Sequence, residues 1–358
     1  MSANTATAKV ADNMHFKELL QSYHYDIPPE LVATTPAHPR DSARLMVYER
    51  TGGRVSHTHF HDILTYLPPR SVLVCNNTKV IPARLYGVLP RGKRVELFVT
   101  SFVSGGPSGT ILSNRNCDPG DVIQIDTDVH IRILRKEGKE STVTLESVHS
   151  WNEILERYGT TPIPPYLSHT PLSEAELRTE YQTVFAEHDG SVAAPTASLH
   201  FTDTLLGQIR DAGHDIVFVT LHVNLGTFAP LTEEAVASGR LHQETFYIPQ
   251  DTITVLQNAK QTNRHIIPVG TTALRTIESA FTHEGVCAHS QGVTDLFIQE
   301  GYSFKMSSGL ITNFHVPESS LMMLVAALVG REKLLALYQS AIAEKYRFFS
   351  FGDGMLIL

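Results

Sequence analysis

The chain has 358 residues, 42% of them hydrophobic, and a formal net charge of −8. That length allows two ordinary domains with real cores, and the acidic balance argues against a protein that coats nucleic acid indiscriminately, because neutralising phosphates requires a basic surface. The three cysteines, Cys75, Cys117 and Cys287, lie far apart without paired spacing, which argues against a disulfide framework and against a cysteine-based zinc site.

In chain order, the first dozen residues, MSANTATAKVAD, are small and polar and lack an apolar stretch of signal-peptide length. Residues 1–13 therefore read as a flexible tail, and the expected location is cytoplasmic. RLMVYE (44–49) and SVLVCNN (71–77) read as strands. Between them HTHFHD (57–62) carries histidines at alternate positions, as a zinc site on one strand face would. The remaining ligands of a metallohydrolase pattern are missing, and partial spacings arise easily among 18 histidines. The segment reads as a solvated or packed histidine cluster, and no metal is expected.

From about 84 to 148 the chain alternates short strands with turn signals: ARLYGVLP, RVELFVTSFV, GTILS, DVIQID, VHIRILR and STVTLESV. This pattern predicts a small antiparallel sheet or barrel. Residues 84–140 carry nine basic and seven acidic side chains, against a net −10 elsewhere, an asymmetry that a mixed solvated surface explains as well as a polyanion contact does. From about 196 onward strands such as HDIVFVTLHV (214–223) and HIIPVG (265–270) alternate with helical patterns such as REKLLALYQSAIAEKY (331–346). The expected class is α/β: a large α/β domain formed by both ends of the chain, 14–83 with 149–358, and an inserted small antiparallel β-barrel domain, 84–148.

Ligands of such sheets bind where strands end and loops begin, which singles out three stretches. TLHVNLGTFAP (220–230) delivers His222 and Asn224 into a loop whose Gly226 permits close approach of a ligand. VGTTALRTIES (269–279) places Thr271 and Thr272 at a helix start, with Arg275 about one turn in. GLITNFHVPESSLMMLVAALVG (309–330) joins Thr312, Asn313, His315, Glu318, Ser319 and Ser320 to nine residues, Leu321 to Val329, without a polar side chain. Nine residues fall far short of the roughly 20 of a membrane span, so that run predicts a buried helix capped by Ser319 or Ser320. Taken singly, each stretch is also ordinary turn and capping chemistry. Phosphate-loop, dinucleotide-binding and nucleophile-elbow motifs are absent, which argues against ATP hydrolysis, NAD chemistry and serine hydrolysis.

PRDSARLMV (39–47), NNTKVIPARLYG (76–87), PIPPYL (162–167), YQTVFAEHDGSVAAPTASLHFT (181–202), TLHVNLGTF (220–228), VGTTALRTIES, TDLFIQEGYSFK (294–305), LITNFHVPESSLMMLVAAL (310–328) and YRFFSFGDGMLI (346–357) form an ordered series. The series resembles the S-adenosylmethionine:tRNA ribosyltransferase-isomerase family of queuosine biosynthesis, from about residue 24 onward and most weakly over 88–150. The resemblance implies that S-adenosylmethionine is a consumed co-substrate and that tRNA with a 7-deazaguanine wobble base is the partner. The ribosyl group would move to the aminomethyl group of that base and rearrange to an epoxycyclopentanediol, giving epoxyqueuosine while adenine and methionine leave. A monomer with no membrane association is expected.

Roles follow from the chemistry of that reaction. The sulfonium acidifies the ribose C5′ hydrogens, so a base must reach that carbon, and His222 or His315 can serve near neutral pH. Asp295, His200 or Asn313 can assist the departing adenine. Thr271, Thr272 and Ser319, with helix N-termini, suit the methionine carboxylate, Arg275 can pair with it, and Thr227 and Asn224 belong to the same substrate-binding set. Arg40, Arg44, Arg84 and Lys305 are the candidate tRNA-binding residues. Asn224 and Ser198 stand where the family usually has glycine and Ser308 where it usually has aspartate; Ser320 and Gly354 are milder departures. Added side chains can reshape a pocket, so the alternative reading is a divergent paralogue that binds RNA without catalysis or acts on an altered substrate.

Overall fold

Strand Val72–Asn76 is buried at every position, the pattern of a strand covered on both faces. It is the centre of the larger sheet in the computed structural model, which describes residues 16–103, 105–224 and 230–358. Ile266–Pro268 and Asp215–Leu221 flank it in parallel, and the sheet continues antiparallel through Arg240–Tyr247 to Gln291–Leu296.

A second sheet has the order Leu310–Asn313, Gly354–Ile357, Arg44–Glu49, Arg54–His59. Gly354–Ile357 runs parallel to Arg44–Glu49 and antiparallel to Leu310–Asn313, so segments more than 300 residues apart in the chain share one ladder. The two sheets meet edge to edge. Val269 and Ile311 form a parallel bridge, and the Gly270 N–H donates to the Ile311 carbonyl at 2.8 Å.

Between Arg84 and Glu146 six antiparallel strands close into a barrel. In Val129–Glu137 the buried positions are Val129, Ile131 and Ile133, the period of two that a strand with one inward face requires. They pack with Leu85, Leu97, Ile111 and Ile123. Helix Trp151–Tyr158 lies against this core: Ser150 and Glu153 form its capping box, Trp151 is buried, and the indole N–H donates to the Pro107 carbonyl at 2.9 Å.

The apolar run does form a helix, Ser320–Val329, with Ser319 as its N-cap accepting from the Met322 N–H. Met322, Met323, Leu324, Val325 and Ala326 are all buried, so the helix is surrounded rather than amphipathic. Among the described residues no helix is long and apolar enough to cross a membrane.

Two polar groups in the core have consequences for stability. Ser198, where the resembled family usually has glycine, is fully buried and its hydroxyl finds no partner among the described residues. Desolvating an unpaired hydroxyl is costly, so Ser198→Ala should raise stability by about 1 kcal/mol in urea unfolding, and a clear loss of stability would contradict this. His200 stacks on Phe60 with ring centroids 4.2 Å apart, and burial, aided by Arg347 and Arg40, pushes its imidazole down to about 3. Because a histidine in the unfolded chain titrates near 6.5, the unfolded state takes up the proton first as pH falls. Stability should therefore drop between pH 6.5 and 3, with His200 accounting for about 2 kcal/mol at pH 5 relative to pH 7. His200→Gln should flatten the dependence of the urea midpoint on pH; an unchanged slope would show that His200 is not its source.

Candidate active site

At the seam between the sheets lies a cavity of 520 Å³. It opens at the carboxyl ends of the strands, where loops from different strands diverge and leave a crevice. Strand Ile266–Pro268 leads to Gly270, Thr271 and Thr272 on the wall, and strand Leu310–Asn313 leads to Thr312, Asn313 and His315. Two helices begin on it, Thr271–Ala280 and Ser320–Val329. Gly270 enters the first at φ 89°, a conformation glycine adopts freely, and among the described residues no side chain caps that helix. Its first-turn N–H groups and dipole therefore favour an anion. Tyr166, Phe314 and Phe349 supply aromatic surface, and Glu318 is the only carboxylate among the described lining residues.

His315 is held from several sides. Its N–H donates to the Tyr338 hydroxyl at 2.9 Å, its carbonyl accepts from the Tyr25 hydroxyl, and its Nε2 lies 2.7 Å from Thr312 Oγ1. The surrounding protein desolvates the imidazole and pushes it down to about 4, so the ring is neutral near pH 7. Asn313 is 3% exposed; its Oδ1 accepts from Thr196 at 2.8 Å, and its Nδ2 faces His200 Nε2 at 3.3 Å and the Asp353 carbonyl at 3.5 Å.

The structure thus gathers Thr271, Thr272, Asn313, His315 and Ser319 around one cavity. His200 sits behind Asn313, outside the lining. His222 also lies outside: its Nδ1 contacts Thr78 Oγ1 at 2.8 Å, and burial together with nearby His188 lowers its pKa. Gly190, at φ 138°, leaves room for that ring, since an added Cβ would come within 3.1 Å of it. The neighbouring Val223 is the residue that reaches the cavity. Asn224 turns its amide to the Gln243 carbonyl at 2.9 Å. Arg275 is 4% exposed, ion-paired with Glu244 and bonded through Nε to the Leu296 carbonyl at 3.0 Å; with Asp295, itself paired to Arg240, it borders a 440 Å³ cavity that adjoins the first along Pro230, Leu231, Ser320 and Leu321. Thr227 lies outside the described residues.

The four basic candidates are dispersed and each has an internal partner. Arg40 pairs with Glu180 at 3.2 Å, Arg84 with Glu96 at 3.2 Å, Arg44 lies 3.9 Å over the Tyr346 ring, and Lys305 donates to the Glu278 carbonyl at 2.7 Å. In the histidine-rich segment, His57 bonds the Tyr346 hydroxyl at 2.8 Å, and His59, His61 and Asp62 are exposed with ligand atoms within 4.8 Å of one another. Sequence reasoning missed Thr196, Tyr25 and Tyr338. Thr196 stood in a quoted motif without a role, and a tyrosine at helical spacing reads simply as core.

Comparison with known proteins bears on this arrangement. The sequence model of a family described as "Queuosine biosynthesis protein" matches residues 20–357. The chain is 41% identical over 341 residues to the S-adenosylmethionine:tRNA ribosyltransferase-isomerase of Sulfurihydrogenibium sp. (strain YO3AOP1), covering 95% of this chain and 99% of that one. The protein of the same name from Aquifex aeolicus (strain VF5) is 41% identical over 341 residues with the same coverage, and that from Clostridioides difficile (strain 630) 41% over 347 residues, covering 94% and 99%. A solved structure, the S-adenosylmethionine tRNA ribosyltransferase from Thermotoga maritima, is 30% identical with a TM-score of 0.53 over 94% of this chain and 100% of that one. With one family matched across almost all of its length and relatives covered nearly end to end, this chain belongs to the queuosine biosynthesis protein family.

Proposed function

We propose that this chain transfers the ribosyl group of S-adenosylmethionine to the aminomethyl group of a 7-deazaguanine base at the tRNA wobble position and isomerises it, giving epoxyqueuosine-tRNA, adenine and methionine. The observation that carries this reading is the 41% identity across 95% of the chain to a relative bearing that activity in its name. We place the reaction in the cytoplasm, by a monomer without a metal.

The chemistry of the cavity supports it. A sulfonium is a cation, and aromatic faces such as Tyr166, Phe314 and Phe349, with Glu318 nearby, suit one. The methionine carboxylate fits the uncapped start of helix Thr271–Ala280, with the Thr271 and Thr272 hydroxyls and the N-terminus after Ser319 within the same cavity. His315 is the base for the C5′ proton, because it lines this cavity and His222 does not. Asn313 is the group left to donate to the departing adenine; its present contacts at 3.3 and 3.5 Å are long enough for a better acceptor to replace them. A tRNA phosphate would have to share Arg40, Arg44, Arg84 or Lys305 with the internal partner each now holds.

The reading is tested by incubating the protein with S-adenosylmethionine and a wobble-modified anticodon stem-loop, then weighing the RNA and assaying adenine. A mass gain of the cyclopentanediol, with adenine and methionine released in step, is expected. Unchanged RNA and no adenine, from folded protein that binds the stem-loop, would overturn it. In the same assay His315→Gln should lower kcat by about 10²- to 10⁴-fold, the usual contribution of a general base, whereas His222→Gln should cost less than about 10-fold. Since the neutral imidazole is the active form, the rate should be flat above neutrality and fall only as pH drops through about 4. A fall centred near 6.5 would point to a solvated histidine instead.

A further inference from the structure

We propose that Thr312 is the positioning residue for this base: its hydroxyl oxygen accepts the Nε2–H of His315, so that Nδ1 is the nitrogen presented to the donor sugar. This rests on reading the cavity as the donor site.

The geometry leaves the ring little freedom. Thr312 is 1% exposed and fixed in the ladder opposite Met355. Three residues on, the backbone of His315 is clasped at both its N–H and its carbonyl by two tyrosine hydroxyls, Tyr338 and Tyr25. Those rings are themselves locked, Tyr25 edge-on to Tyr338 at 5.1 Å and Tyr338 edge-on to Phe314 at 5.3 Å. With the backbone held, only the two side-chain torsions of His315 remain, and the 2.7 Å contact between Nε2 and Thr312 Oγ1 sets them. Among the described residues Nδ1 has no hydrogen-bond partner.

A neutral imidazole carries one N–H, and the partner of one nitrogen decides what the other can do. With the hydrogen on Nε2 and given to Thr312, Nδ1 keeps its lone pair for the C5′ proton. When Nδ1 takes that proton the Nε2–H bond persists and stabilises the imidazolium. Among the described residues no ionised side chain competes for this duty: Tyr25 and Tyr338 address the backbone, and Glu318, on the same loop, is turned to His24 Nδ1 at 2.8 Å.

The test compares Thr312→Val and Thr312→Ser in the stem-loop assay. The valine variant should lose about 10- to 100-fold in kcat, as when an outer partner that orients a metal-bound histidine is removed, with KM for S-adenosylmethionine changed less than about threefold. Its acid limb should move to lower pH, because the imidazolium has lost an acceptor. The serine variant, which keeps the hydroxyl, should stay within about threefold of wild type. A valine variant with wild-type kcat, or a serine variant as impaired as the valine one, would overturn the proposal. Nitrogen-15 spectra of the histidines in the unaltered protein decide the point even if Thr312→Val does not fold or wild type shows no turnover, in which case it is the proposed reaction that fails. One fixed tautomer of His315 with hydrogen on Nε2 is expected; averaged tautomers, or hydrogen on Nδ1, would overturn it.

Discussion

The junction of two sheets, where Val269 bridges Ile311 and the Gly270 N–H donates to the Ile311 carbonyl, sets the position of the candidate site. It aligns two strand ends that come from distant parts of the chain. One delivers a glycine and two threonines at an uncapped helix start, the other a threonine, an asparagine and a histidine. Because the strands are rigid and buried, the groups at their ends are held without needing a ligand to organise them, which is what a preorganised site requires. The helix Ser320–Val329, apolar from Leu321 onward, serves the same end. It cannot move without exposing its side chains, so the loop before it, with His315 and Ser319, has a fixed base.

Side chains at the family's usual glycine and aspartate positions are accommodated in different ways. Ser308 takes part in the edge of the larger sheet, its hydroxyl accepting the Ile266 N–H at 2.9 Å. Asn224 turns its amide away to Gln243, leaving the cavity to Val223. At Gly354 the space above the backbone is filled by Phe60, whose ring would lie 2.8 Å from an added Cβ. Ser198 carries a plain energetic penalty, a buried hydroxyl with no partner among the described residues. Of the departures from the family pattern Ser320 lines the cavity, with a small hydroxyl at the helix start, whereas Ser198, Asn224, Ser308 and Gly354 do not, which agrees with an active enzyme rather than a binding relative with a blocked pocket.

Much of this was legible in the residues and some was not, for definite reasons. The barrel strands announce themselves by alternation and turn residues, and the Ser319 cap by its place before an apolar run, because both signals are local. The seam joins residues about 42 positions apart, such as Val269 and Ile311, and nothing local marks it. Arg275 reads as a carboxylate clamp until Glu244, 31 residues earlier on a different strand, turns out to hold it in a buried pair. His222 and Val223 illustrate the limit at the scale of one residue. Successive side chains at a strand end point in opposite directions, and a motif does not say which of the two faces the cavity.

In the proposed reaction the donor sits in the seam cavity with its ribose against His315. A crystal structure of the protein with S-adenosylmethionine tests it most directly. The methionine carboxylate is expected at the start of helix Thr271–Ala280 and the ribose C5′ within about 3.5 Å of His315 Nδ1. A donor bound in the cavity beside Arg275 and Asp295, or with its sugar toward His222, would contradict it.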